Sequence, residues 1–197
     1  MILKETAPVS AAALPLDAFR DHLRLGSGFT GDPSEDGLLT EILHSAVGTV
    51  ESWTNKALFR RTFTLSVTRW RKLEAQPLPI GPVEEALSLA LRGADGVETV
   101  VDPDDYRICP DLHIPVLEGA FGCLPMIPTG GTAVLTFNAG FSIDWSGVPS
   151  PLRRAVLLLA GRFYEDRSCA LDGGLPVDVA SILGAWRPVR LKFGAAS

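Results

Sequence analysis

One stretch of this 197-residue chain leaves little conformational choice. From Leu38 to Trp53 the apolar positions Leu38, Leu39, Ile42, Leu43, Ala46, Val47, Val50 and Trp53 repeat at i, i+1, i+4 and i+5. That period draws a single stripe along a helix about five turns long, and the stripe has to pack against something. Asp32-Pro33-Ser34-Glu35 supplies the start: a capping residue, a proline, and early acids opposite the positive end of the helix dipole. The helix closes on Thr54-Asn55-Lys56-Ala57-Leu58. A second helix opens at Pro149-Ser150-Pro151 and ends at Tyr164-Glu165-Asp166-Arg167. Its Leu152, Ala155, Val156, Leu158, Leu159, Ala160 and Phe163 cover most of the circumference, which marks a central helix.

Between the two helices the period changes. Phe63, Leu65 and Val67 alternate with Thr64, Ser66 and Thr68, the two-residue repeat of a strand with one covered face. Pro77-Leu78-Pro79-Ile80-Gly81-Pro82 is turn or extended chain, because each proline lacks a donor and fixes its backbone angle. Val83 to Leu91 reads either way: Glu84-Glu85-Ala86-Leu87 favours helix, whereas Val83, Leu87, Leu89 and Leu91 alternate on a strand. The neighbouring strands tip it to strand. Glu98 to Val101, Asp105 to Ile108, His113 to Leu117 and Thr132 to Asn138 are further strands, separated by Gly, Pro and Asp turns. Shorter helices are expected over Pro15 to Leu25, with Leu16, Phe19, His22 and Leu23 on one face and Gly26-Ser27-Gly28 as its stop, and from Pro176 through Ile182 and Leu183. Asp172-Gly173-Gly174 separates that last helix from its predecessor. The expected fold class is α+β: a helical bundle core over residues 1–61 and 142–197, with a small, mostly antiparallel β-sheet inserted over 62–141.

Composition narrows the function. Hydrophobic residues make up 46% of the chain and charged residues 21%, enough for a real core. The longest apolar run, Ala155 to Gly161, is far short of the roughly 20 residues that span a bilayer. Met1-Ile2-Leu3-Lys4-Glu5 shows no basic region followed by an apolar stretch, so a soluble, intracellular product is expected. A formal charge of −5 argues against tight binding to a nucleic-acid backbone. The charge is also uneven. Asp95, Glu98, Asp102, Asp104, Asp105, Asp111 and Glu118 face only Arg107 in the middle, whereas Arg153, Arg154, Arg162, Arg167, Arg187, Arg190 and Lys192 enrich the end. This layout suits either electrostatic steering between protein partners or an ordinary solvated surface.

Reaction chemistry is sparse. His22, His44 and His113 lie in three different elements with no His-x-x-x-His spacing, and structural roles suit them. A Gly-x-Ser-x-Gly elbow is missing, as is a glycine-rich loop followed by Lys-Ser or Lys-Thr. Asp102-Pro103-Asp104-Asp105 has the oxygens for a hard cation but neither the ligand run nor the closing Glu of a calcium loop, so turn chemistry explains it better. Glu165-Asp166 is flanked by Arg162 and Arg167, and ion pairing accounts for it. Cys109, Cys123 and Cys169, odd in number and widely spaced, read as reduced, partly buried thiols. No catalytic, cofactor or metal residue is expected. Trp53 belongs to the helical stripe, and Trp186 is the best candidate for an interface anchor. After it, Arg187-Pro188-Val189-Arg190-Leu191-Lys192-Phe193 alternates cationic and apolar groups with no partner of its own.

The order of these features resembles the head–tail connector, or adaptor, proteins of long-tailed phages and of phage-derived gene transfer agents. The residues that carry the resemblance run through nearly the whole chain. They are Pro15-Leu16-Asp17-Ala18-Phe19-Arg20-Asp21-His22-Leu23-Arg24, the helix closing on Thr54-Asn55-Lys56-Ala57-Leu58, and Leu78-Pro79-Ile80-Gly81-Pro82-Val83. Tyr106 follows in a strand, then Val134-Leu135-Thr136-Phe137-Asn138-Ala139-Gly140-Phe141, Pro151-Leu152-Arg153-Arg154-Ala155, Tyr164-Glu165-Asp166-Arg167 and Leu183 to Arg187. Lys56 stands where an Arg is more usual, and Glu35-Asp36 where Asp-Asp is frequent. The resemblance implies a non-enzymatic structural protein in the neck of the particle, present in the bacterial cytoplasm during assembly. It implies a homo-oligomeric ring, commonly of twelve copies, between the portal protein and a neck or tail stopper protein, with an axial channel for double-stranded DNA. By position it points to Trp186, Arg187, Arg190, Leu191, Lys192 and Phe193 as portal-interface candidates. An acidic balance fits a channel through which genome slides without sticking. Other readings are a neck stopper or tail-completion protein of the same particle, a small metal-dependent enzyme built on the acidic middle sheet, and a protein-binding module unrelated to phage.

Overall fold

The computed structural model describes residues 1–24, 33–166 and 174–187. The chain runs through β1 (Ile2–Glu5), α1 (Leu16–Leu23), α2 (Pro33–Thr54), β2 (Arg61–Val67), β3 (Ala75–Pro77), β4 (Val83–Arg92) and β5 (Glu98–Val100). It continues through β6 (Tyr106–Cys109), β7 (Val116–Gly119), β8 (Thr132–Ala139), α3 (Ser150–Glu165) and α4 (Val177–Gly184). This is an α+β fold with two antiparallel sheets. One has five strands in the order β1-β2-β8-β4-β5, the other three in the order β3-β7-β6. Strand β1, drawn from a stretch with no strand pattern of its own, pairs along β2 from Ile2 opposite Ser66 to Glu5 opposite Phe63. The expected cap Asp32, the breaks at Gly26-Ser27-Gly28 and Asp172-Gly173, and Arg167 and Cys169 lie outside the described residues.

The helices share one core. Leu39, Leu43, Ala46, Val47 and Val50 of the α2 stripe are buried against Leu152, Ala155, Val156, Leu159 and Ala160 of α3. Helix α3 packs against α1, α2 and α4, the central position that its apolar circumference predicts. Gly161 of α3 faces α1, where a Cβ would meet the His22 imidazole at 3.4 Å, an ordinary contact. Trp53 is half-buried at the edge of this cluster. Arg162, expected to pair with Glu165 or Asp166, instead holds both carboxylate oxygens of Asp178 at 3.0 Å and so ties α3 to α4. A single nitrogen, Nη2, donates to both oxygens, a charge-assisted contact between the two helices.

The sheets enclose a second core. Phe63, Leu65 and Val67 of β2 and Ala133, Leu135, Phe137 and Ala139 of β8 point inward, as their alternation requires. Phe63 sits opposite Phe137 with ring centroids 6.1 Å apart. Two expectations need correction. Leu87 faces out, because β4 slips register between Val83 and Ala86 and again before Ser88, and each irregularity resets the side of the sheet. Residues 113–115 stay out of β7 because Asp111 Oδ1 accepts the N–H groups of His113 (2.7 Å) and Ile114 (2.6 Å), an Asx turn that competes with the ladder.

The two cores meet at residues 54–61. Thr54, Lys56, Ala57, Leu58 and Phe59 are all buried, so backbone groups here need partners inside the protein. Asn55 leaves α2 in the left-handed region, at φ 54°. Gly81 then grips the segment from one side: Ala57 N–H donates to Gly81 O (2.8 Å), and Gly81 N–H donates to Asn55 O (3.1 Å). The chain leaving β8 grips the other side: Phe141 N–H reaches Leu58 O (3.3 Å) and Arg60 N–H reaches Ser142 O (2.7 Å). Gly140, at φ 131°, is required for that approach, since a Cβ would lie 2.4 Å from Phe59 O.

Charged groups lock the same junction. Glu51 Oε1 accepts the Leu58 N–H at 2.7 Å and the Arg61 guanidinium at 3.0 Å, and Oε2 takes Arg61 Nη2 at 2.7 Å. Arg61 also donates to Phe59 O at 3.0 Å, lies 2.9 Å from Glu5 of β1, and sits over the Phe63 ring at 4.9 Å. Burial works against its charge, but the Glu51 and Glu5 carboxylates outweigh that and raise its pKa. Lys56 is the opposite case. Its side chain is fully buried, and among the described residues nothing accepts a hydrogen bond from Nζ. Burial lowers its pKa, and the Asp111 carboxylate opposes the shift only in part.

Two outcomes follow from this packing. Leu43→Ala should cost about 2–5 kcal/mol in denaturant unfolding; a much smaller loss would mean that the stripe faces a subunit boundary instead. Lys56→Met should stabilise the fold at neutral pH by about 1–4 kcal/mol, because it removes a buried charge with no acceptor. The unfolded chain holds that proton more tightly than the folded one, so wild-type stability rises as the group titrates. The advantage of Met should therefore shrink as pH climbs from the lowered folded value toward the ordinary 10.5. A destabilised variant, or an advantage that does not change with pH, would contradict this placement of Lys56.

Candidate functional site

Among the described residues, those that could do chemistry are scattered over separate elements. His22 is exposed on α1, His44 is half-buried on α2, and His113 lies in the turn before β7. Among the described residues no group of three His, Cys, Asp or Glu is placed to hold a metal ion, and no helix is long and apolar enough to cross a membrane. Asp102-Pro103-Asp104-Asp105 forms a turn of 3-10 helix, with Asp102 Oδ1 accepting the Asp104 N–H at 3.0 Å. Cys109 is a half-buried free thiol, while Cys123 is exposed rather than partly buried, because it lies in the open loop between β7 and β8.

The interface candidates divide. Arg190, Leu191, Lys192 and Phe193 lie outside the described residues. Trp186 and Arg187 are placed, and both have partners within the chain. Trp186 is half-buried edge-on against Phe141, at 5.7 Å and 83°, where the chain leaves β8. The Arg187 guanidinium lies 4.6 Å above the ring of Trp53, at the end of α2. The expectation that residues 187–193 have no intrachain partner is thus corrected at Arg187, whose planar cation finds an aromatic face. Both contacts fall beside the junction, so the segment that follows α4 is rooted where the two cores meet.

One surface has no counterpart in the sequence reading. A groove of about 1090 Å³ opens where the end of β2 and the following turn pass β3 and the turn before β7. Arg69, Arg71 and His113 line it with Trp70, Leu78 and Pro79, and no carboxylate does among the described residues. Five separate segments build the groove, so no local sequence signal announces it.

No protein-family model and no curated protein matches the chain. Solved structures do. A chain from the neck of an empty GTA particle, computed with C6 symmetry, superposes with a TM-score of 0.90 at 43% identity, over 98% of this chain and 99% of that one. A chain from the virion of a native gene transfer agent (GTA) particle gives 0.87 at 43% over the same shares. A chain from the neck of a native GTA particle, computed with C12 symmetry, gives 0.85 at 40%, again over 98% and 99%. These relatives are structural components of the particle rather than enzymes. Identity of this size, sustained from end to end of both chains, shows the family: the chain belongs to the neck proteins of gene transfer agent particles.

Proposed function

We propose that this protein is the head–tail adaptor of such a particle. In this reading twelve copies close into a ring beneath the portal, join it to a stopper protein on the tail side, and leave an axial passage for double-stranded DNA. The observation that carries it is the end-to-end likeness to a neck chain whose assembly has C12 symmetry. A net charge of −5 adds support, since DNA must slide through the passage rather than bind. The helical core (1–61 and 142–197, apart from strand β1, which joins the sheet) supplies the body of each copy and the β-rich insertion (62–141) a second contact layer. A neck stopper of the same particle is the competing reading, since the likeness is to chains of the neck as a whole.

Portal attachment falls to Trp186, Arg187, Arg190, Leu191, Lys192 and Phe193. Trp186 and Arg187, held against Phe141 and Trp53, fix the root of the segment. Arg190, Leu191, Lys192 and Phe193 then present alternating cationic and apolar groups, a pattern that gains by ordering on another protein.

Truncation after Arg187 should leave the cooperative unfolding transition in place and abolish binding to purified portal. Loss of folding in the truncated chain, or undiminished portal binding, would contradict this assignment. The full chain should bind isolated portal and not tail components alone; the reverse preference would support the stopper.

A further inference from the structure

The five-stranded sheet has two different edges. With adjacent strands about 4.8 Å apart, β1 and β5 stand roughly 19 Å from each other across it. The groove lies at the β1 side, against Met1 and the end of β2. The second sheet runs the same way, with β3 on the groove side and β6 under β4. At the far side, the turn between β5 and β6 carries Asp102, Asp104 and Asp105, all exposed.

The charges of the two sides are opposite, and both lack partners. Arg69 and Arg71 are exposed and form no ion pair among the described residues. Their groove holds His113 as well and no acid, in a protein whose overall charge is −5. Asp104 and Asp105 likewise meet no cation among the described residues, whereas nearby Glu98 is already paired with Arg92 at 2.8 Å. Asp102 is engaged in shaping the turn, which holds the other two carboxylates outward.

A closed ring of identical copies needs two different, mutually complementary patches on each subunit. We propose that the Asp102–Asp105 turn of one copy docks into the Arg69–Arg71 groove of the next, so that the β-rich layer of the ring closes by charge. This inference rests on the ring reading above. Opposed charges of this kind set register and reject wrong partners more than they add affinity. The half-open groove, flanked by Trp70, gives the turn a concave seat rather than a flat, fully screened surface.

The test uses two charge reversals in the full chain, Arg69→Glu with Arg71→Glu, and Asp104→Arg with Asp105→Arg. All four side chains are exposed, so both variants should keep the wild-type melting transition. Each variant alone should need at least tenfold more protein than wild type to form rings, read by mass photometry in the presence of portal. An equimolar mixture of the two should assemble again, because every groove then meets a turn of opposite sign. Raising salt should weaken wild-type assembly. Variants that form rings as readily as wild type, a mixture that fails to assemble, or assembly indifferent to salt would each overturn the pairing. Wild type that remains monomeric beside portal would instead overturn the ring reading itself.

Discussion

The half-buried Glu51–Arg61 pair is the contact on which the rest of the molecule's geometry depends. One carboxylate near the end of α2 stops the backbone at Leu58, holds the first residue of β2, and through Arg61 reaches Glu5 on the edge strand β1. A pair withdrawn this far from water is weak evidence for stability, since desolvation opposes the attraction. Its effect here is positional. Residues 54–61 pass from the helical core to the β core with Thr54 and Lys56 to Phe59 buried, gripped by Gly81 on one side and by the chain leaving β8 on the other. Helices and sheets are thereby held in one fixed relation.

The same junction organises the candidate portal segment. Phe141 follows the glycine that allows the close approach, and Trp53 lies on the last turn of α2. Trp186 and Arg187 rest on these two rings. A pull on the segment beyond Arg187 would therefore be delivered to the boundary between the cores rather than to the end of a lone helix.

Much of the fold was legible because one face of each element is covered. The 3.6-residue period of Leu39, Leu43, Val47 and Val50 and the two-residue period of Phe63, Leu65 and Val67 are direct records of burial. Where burial leaves no periodic record, the sequence was silent or misleading. Strand β1 is four residues long and mostly exposed. The bulges of β4 put Leu87 on the wrong side for simple alternation. The Asx turn at Asp111 outcompetes the strand pattern of the residues after it. The contacts that matter most for the surfaces are long-range. Nothing local in Arg187 reveals Trp53, nothing in Arg162 reveals Asp178, and the groove exists only once five segments converge. Membership of the neck family was the more accessible inference, because an ordered series of short motifs survives along the whole chain while each contact depends on folding.

Imaging of the purified full chain mixed with portal by electron microscopy is the most direct measurement. Closed annuli of twelve subunits, stacked coaxially on the portal with an open central hole, are the expected result. Single copies scattered on the portal, or no annulus at concentrations that saturate portal binding, would contradict it.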